Sequence, residues 1–237
     1  MPKSSNLQQT LWDIQKRFGE HIINPLSRLR SEREAIATGF EAVDNLLSGH
    51  GLPCAAVTEV MGAPTSGVTT LAHTTLAHAQ ANSHSAVYLD LSGTFDPDYA
   101  ALQAVDLGRL LIVTPSNFIK ALEIARDFVR LPSTGLIVID ALSVPTAGGT
   151  TSLKRLHEAT MRSRCAVLLL TRMPLATEAD PFIHTRLHLQ RADWLYDGQD
   201  INGYAGQVRL LKDKRSPGER VARIELRVDR QVEGGAP

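Results

Sequence analysis

The chain of 237 residues carries 25 lysines and arginines against 25 aspartates and glutamates, and 43% of it is hydrophobic. This balance excludes a chain too polar to fold, and excludes binding to nucleic acid through bulk positive charge; any such contact must come from a local patch. A chain of this length buries about 70% of its unfolded surface, enough for one substantial core.

The opening "MPKSSNLQQTLWD" lacks the apolar core of a secretion signal, and no run reaches 18 apolar residues. The cytoplasm is therefore the expected compartment, with no membrane contact. Residues 9 to 18 place Leu11, Trp12, Ile14 and Phe18 among charged residues at the spacing of a short amphipathic helix. Aromatics on such a helix are natural anchors, which makes Trp12, Ile14 and Phe18 a candidate partner interface. The stretch from His21 to Glu34 is polar, arginine-rich and interrupted by Pro25. The expected organisation is an N-terminal helix and linker over 1–34, a core over 35–232 and a flexible tail over 233–237.

Within the core, short apolar runs alternate with helical patterns. Strands are expected at 55–62, 86–91, 110–115, 136–140 and 166–171, with helices at about 67–81, 97–105, 116–130 and 152–163. That alternation predicts an α/β fold whose mostly parallel sheet is covered on both faces. After Thr171 the pattern changes to partial period-two alternation with glycine and proline turns, which predicts antiparallel strands extending the sheet. Cys54 and Cys165 sit among apolar residues and are expected as buried free thiols. Trp194 and Tyr196 are expected to pack on the sheet.

The segment "GAPTSGVTT" carries the chemistry. Gly62, Gly67, Thr69 and Thr70 follow G-x-x-x-x-G-K-[ST], after a strand and before a helix, but Val68 stands where the lysine belongs. In an intact loop the backbone N–H groups wrap phosphates, the lysine reaches the terminal ones and the next hydroxyl holds magnesium. Asp140, closing the apolar strand "GLIVIDA", is placed to hold the same ion. His184 and His188 form no metal motif, no metal site is expected, and no Ser-His-Asp set stands out. Lys154, Arg155, Arg162 and Arg164 form a basic segment that reads as a solvated face or as a phosphate contact.

From about Leu11 to Asp229 the chain resembles the ATPase core of the bacterial RecA recombinase family. The resemblance is carried in order by "WDIQKRFGEHII", "IATGFEAVDNLLSGHGLP", the glycine loop, "YLDLSGTFDPDYA" and "LIVIDAL". It implies a RecA-like P-loop NTPase core, with a mostly parallel central sheet flanked by helices and antiparallel C-terminal strands. It also implies that Ser92 falls at the glutamate that prepares the attacking water, and that Thr171 and Arg172 fall at the asparagine and phosphate-sensing glutamine. Lys212 and Lys214 match basic positions that reach toward nucleotide held by a neighbouring protomer, and read equally as a charged turn between two strands. The N-terminal helix is implied to dock on a neighbouring protomer.

Broken catalytic positions, shortened DNA-binding loops and the lack of the family's large C-terminal domain make the chain similar to the ImuA class, the RecA- and SulA-related accessory proteins of translesion synthesis. The resemblance then implies a pseudo-ATPase of the SOS response, without catalytic residues, contacting RecA and an ImuB-type polymerase-like protein. Nucleoid association would come through those partners. No cofactor is expected, with weak ATP and magnesium binding, direct DNA contact and self-association left open. Two alternatives stand beside it: an ATP-binding recombinase paralogue acting on single-stranded DNA, and a cell-division inhibitor that reuses the fold.

Overall fold

Apolar strands flanked by helices bury themselves only when both sheet faces are covered, and this requirement organises the core. The computed structural model describes residues 9–10, 12–14, 16–17, 34–82, 84–216 and 218–227. They fall into two compact units, one within residues 1–33 and one within 34–237. In the first unit the described residues are helical; Trp12 is 58% exposed, with Lys16 Nζ 4.7 Å from its ring centroid. Ile14 is half-buried, whereas Phe18 lies outside the described residues, as do residues 19–33 of the expected linker and the tail 233–237.

The second unit opens with a small antiparallel pair, β1 (Ala35–Ile36) and β2 (Leu52–Pro53), connected through helix α1 (Glu41–Leu46). The main sheet contains β3 (Ala56–Gly62), β4 (Ser85–Asp90), β5 (Leu110–Val113), β6 (Thr134–Asp140), β7 (Ala166–Thr171), β8 (Thr185–Asp197), β9 (Asp200–Asp213) and β10 (Arg220–Arg227). Their spatial order is β10-β9-β8-β3-β7-β6-β4-β5. Helices α2 (Val68–Ala81), α3 (Pro97–Leu102), α4 (Phe118–Val129) and α5 (Thr150–Thr160) connect the parallel strands.

Period-two alternation sends successive strand residues to opposite faces. Val60, Val138, Leu168 and Leu170 face a core shared with Leu71 and Leu76 of α2, while Val57, Ile137, Ile139 and Val167 face one shared with Leu122 of α4 and Leu156 of α5. Helix starts are set by local chemistry. The Asn117 side chain accepts from Lys120 N at 2.9 Å, and Asp96 accepts from Tyr99 N at 3.0 Å with Pro97 in the first turn. These bonds satisfy backbone donors that the helix itself leaves unpaired.

Several expectations change in detail. The helix expected over 97–105 ends at Leu102, because Ala104 adopts a left-handed backbone with φ 63° and Asp106 starts a separate turn at Leu107–Arg109. The strands after Thr171 are antiparallel with one qualification: β8 runs antiparallel to β9 but parallel to β3. The connection through the Thr177–Phe182 turn lets β8 enter the sheet in the direction of β3. Trp194 packs on the sheet only against its cross-strand neighbour Tyr204 and stays 46% exposed, and Tyr196 is 62% exposed. Pairing of β8 with β3 stops at Leu189, so beyond it the outer edge of β8 has no partner strand among the described residues, while β10 follows β9 as far as Gly203. Trp194 is held edge-on by Tyr204 and covered by the Arg191 guanidinium, 4.5 Å away. Cys54 and Cys165 are buried and free, and burial pushes the Cys54 thiol up to about 11.

Candidate functional site

The central position of β3 determines where its C-terminal loop emerges: between the ends of β7 and β8, ahead of α2. Gly62 is required there, since a Cβ would strike the Ser66 hydroxyl, sit 2.7 Å from Val68 Cγ2 and lie 2.9 Å from the Leu189 carbonyl. Gly67 has φ +97°, and Thr65 shares the left-handed region at 66°. No side chain caps α2 at Gly67, so the loop keeps the positive helix terminus that phosphate cradles use.

Val68 turns away from that task. It is 3% exposed and belongs to the apolar core that also contains Leu189 and Leu226. Leu226 of β10 backs directly onto Gly67, where an added Cβ would meet its Cδ1 at 2.5 Å. The position that a lysine would occupy therefore contributes packing, with neither charge nor donor.

Above the loop lies a cavity of about 230 Å³ lined by Thr65, Thr69, Asp140, Ser143 and Arg172, with Phe95 at one wall. Thr69 and Asp140, the pair suited to a metal ion, thus reach one space. Asp140 is already engaged: Oδ2 accepts from the Tyr88 hydroxyl at 2.6 Å and Oδ1 from Leu142 N at 3.1 Å. Burial raises its pKa above the usual carboxylate range, with those two hydrogen bonds opposing the shift. Arg172 is the cation lining the cavity among the described residues, entering from the end of β7.

Ser92 sits in a loop held by Asp90, whose Oδ1 accepts from the backbone N–H of Ser92, Gly93 and Thr94 and whose Oδ2 accepts from Phe95. Its hydroxyl is buried and finds no hydrogen-bond partner among the described residues. A serine hydroxyl is no carboxylate base. With an apolar residue where the loop motif has its lysine and, on the resemblance to the RecA core, a hydroxyl where that core has its glutamate, the residues present do not fit a hydrolytic magnesium–triphosphate site. The cavity is also below the about 300–1,000 Å³ of typical cofactor pockets.

Thr171 points elsewhere: its hydroxyl donates to Glu59 Oε1 at 3.1 Å. Glu59, fully buried on β3, also accepts from Leu175 N at 2.9 Å and pairs with Arg186 Nε at 2.5 Å. Arg186 continues to Asp180 at 2.6 Å, and Asp180 takes the Lys212 ammonium as well. Lys212 and the Arg186 pair hold the Asp180 carboxyl below its ordinary range. Lys214 donates to the Pro181 carbonyl, so both lysines find partners within their own chain.

Sequence reading passed over four participants. Glu59 was visible as a lone acid in the apolar run "AAVTEVMG", and a buried acid demands a partner. Tyr88, Tyr99 and His73 gave no such signal. The Tyr99 hydroxyl lies 2.6 Å from Thr70 Oγ1, at the first turn of α2. His73 is buried among Phe95, Tyr99 and Tyr88 at ring distances of 5.4, 5.7 and 6.0 Å. Burial lowers its pKa to about 4, with Asp96 opposing the shift, and neither ring nitrogen has a hydrogen-bond partner among the described residues.

A glycine loop joining a central parallel strand to its helix, with an aspartate at a neighbouring strand end reaching the same cavity, defines a P-loop NTPase-type α/β core. The chain belongs to the RecA N-terminal domain family, whose profile matches residues 5–165. It is similar to Protein RecA of Herpetosiphon aurantiacus, 28% identical across 94% of this chain and 72% of that protein. Protein RecA of Staphylococcus carnosus is 26% identical over 93% and 71%, and that of Aquifex pyrophilus 28% over 91% and 71%. No described helix is long and apolar enough to cross a membrane, and no described cluster of His, Cys, Asp and Glu is arranged to hold a metal.

Proposed function

We propose that this chain is a catalytically silent RecA-like accessory protein of the ImuA type, acting through protein contacts in the DNA-damage response and translesion mutagenesis. The observation behind this reading is a cradle kept in shape while its chemistry is replaced: Gly62 and Gly67 preserve the loop, Val68 joins the core and Ser92 offers no carboxylate. The loop then serves as a structural joint between β3, α2 and β10.

Exposed apolar groups support the interaction role. β5 ends the sheet, and its Leu111 and Ile112 are 48% and 42% exposed, so an open strand edge presents apolar side chains to a partner. The Trp12 anchor of the N-terminal helix is exposed too. The partners we infer are RecA and an ImuB-type polymerase-like protein, with nucleoid association through them. Arg172 favours a second reading, an ATP-binding paralogue acting on single-stranded DNA, because its guanidinium offers a cation in the cavity where Val68 gives none. The reading as a cell-division inhibitor has no comparable support.

Binding of the purified chain to RecA filaments on single-stranded DNA, measured by co-sedimentation, tests the proposal. Trp12→Ala with Phe18→Ala is expected to weaken binding at least tenfold, about 1.4 kcal/mol, with thermal unfolding of the core unchanged. No binding by the unaltered chain, or ATP turnover at the rate of an active recombinase, would defeat it.

A further inference from the structure

At the end of the sheet remote from the glycine loop, the C-terminal ends of α4 and α5 border a groove of about 670 Å³. Among the described residues five arginines line it, Arg126, Arg130, Arg155, Arg162 and Arg164, against one carboxylate, Glu158. Helix ends account for part of this set, since cations near a C-terminus complement the helix dipole. Neighbouring acids account for more: Asp127 pairs with Arg126 at 3.1 Å and lies 3.9 Å from Arg130, and Glu34 lies 3.4 Å from Arg164. Arg155 and Arg162 are exposed and make no ion pair among the described residues, although Arg155 lowers the pKa of Glu123 through its field. Two guanidinium forks remain available in a groove that is already positive.

The groove is not only charged. Leu131 and Pro132 give it exposed apolar surface, Leu131 being 49% exposed, with the half-buried Ala159 beside them and Val129 buried beneath. Three features separate its possible anionic occupants. A nucleic-acid strand uses aromatic platforms for its bases, and none of the described residues lining the groove is aromatic. A phosphodiester strand gains little from Leu131 or Pro132. It also carries charge at every step, so it meets Glu158 unfavourably, whereas a peptide places carboxylates only where guanidinium groups await them.

We propose that this groove is a docking site for an acidic protein segment, in which carboxylates pair with Arg155 and Arg162 while a large apolar side chain packs against Leu131 and Pro132. Arginine suits this role because its planar fork binds carboxylate through two parallel hydrogen bonds. The inference holds whether or not RecA is the partner.

The test uses the full chain and fluorescence anisotropy with a short labelled peptide that interleaves glutamates with leucine and phenylalanine. The peptide is expected to bind, and its glutamine counterpart to bind at least tenfold more weakly. Arg155→Glu with Arg162→Glu should weaken the acidic peptide at least tenfold, and Leu131→Ser several-fold. Thermal unfolding is measured in parallel; if the charge-reversed pair unfolds early, Arg155→Gln with Arg162→Gln replaces it, with the same loss of affinity expected. Absence of peptide binding, affinity indifferent to both arginine pairs, or tighter binding of an oligothymidylate than of the peptide would each overturn the proposal, the last by making the groove a nucleic-acid site.

Discussion

The Tyr88 hydroxyl donates to Asp140 Oδ2 across 2.6 Å, joining neighbouring strands β4 and β6 inside the cavity above the glycine loop. The carboxylate that would face a metal ion is thus part of the fold's own hydrogen bonding. It remains a buried acid, and its raised pKa means that ionisation costs stability in the folded state.

Asp140→Asn is therefore expected to stabilise the protein at pH 7. Because the folded pKa lies above the unfolded value, the native carboxylate is penalised once the pH rises through that folded value. The advantage of the variant should fade as the pH falls toward 4, and urea titrations at several pH values measure it. A variant less stable than the parent at pH 7 would show that the hydrogen bonds to Tyr88 and Leu142 outweigh desolvation. Tyr88→Phe, which removes the donor, is expected to cost about 1.5–3 kcal/mol.

His73 yields a second pH effect of opposite sense. Its folded pKa of about 4 lies below the ordinary histidine value of 6.5, so the folded state resists protonation and stability falls as the pH drops from 6.5 toward 4. The slope from this residue approaches about 1.4 kcal/mol per pH unit, or about 3 kcal/mol across the window. His73→Phe should flatten that portion of the stability curve. An unchanged slope would assign the effect to other groups.

The buried pair of Glu59 and Arg186 offers a test of the charge network behind Thr171. Glu59→Ala leaves Arg186 facing only Asp180 and removes the acceptor used by Thr171 and Leu175, so a loss of about 3–5 kcal/mol is expected in denaturant unfolding. Glu59→Leu with Arg186→Met should lose much less, because no unpaired buried charge remains. Equal losses in the two variants would show that packing, not charge pairing, dominates there.

ATP turnover should be absent with or without magnesium and single-stranded DNA. Removing one electrostatic donor from an active site typically costs about 2.7–4 kcal/mol, and here both the lysine and the base positions are altered. Val68→Lys alone should not restore hydrolysis, since Ser92 stays in place. Calorimetry should find ATP binding weak or undetectable; a micromolar dissociation constant would favour the nucleotide-binding reading, with Arg172→Gln as the variant that locates the site.

Local pattern alone made the parallel strands, the glycine loop and the loss at Val68 legible, because period-two burial, helix periodicity and turn chemistry are properties of neighbouring residues. Asp140 was legible as a strand-ending acid, but its partner was not: Tyr88 lies 52 positions away and meets it only because β4 and β6 are adjacent. Glu59 and Arg186 are 127 positions apart, brought together by the parallel pairing of β3 with β8. The basic segment at Lys154, Arg155, Arg162 and Arg164 reads in the sequence as a solvated face or a phosphate contact; the groove exists because α4 brings Arg126 and Arg130 to the same end of the sheet. Exposure of Trp194 and Tyr196 likewise depended on where β3 stops supporting β8. Strand order and the reach of each strand decide which distant side chains share a dielectric environment, and those are tertiary quantities.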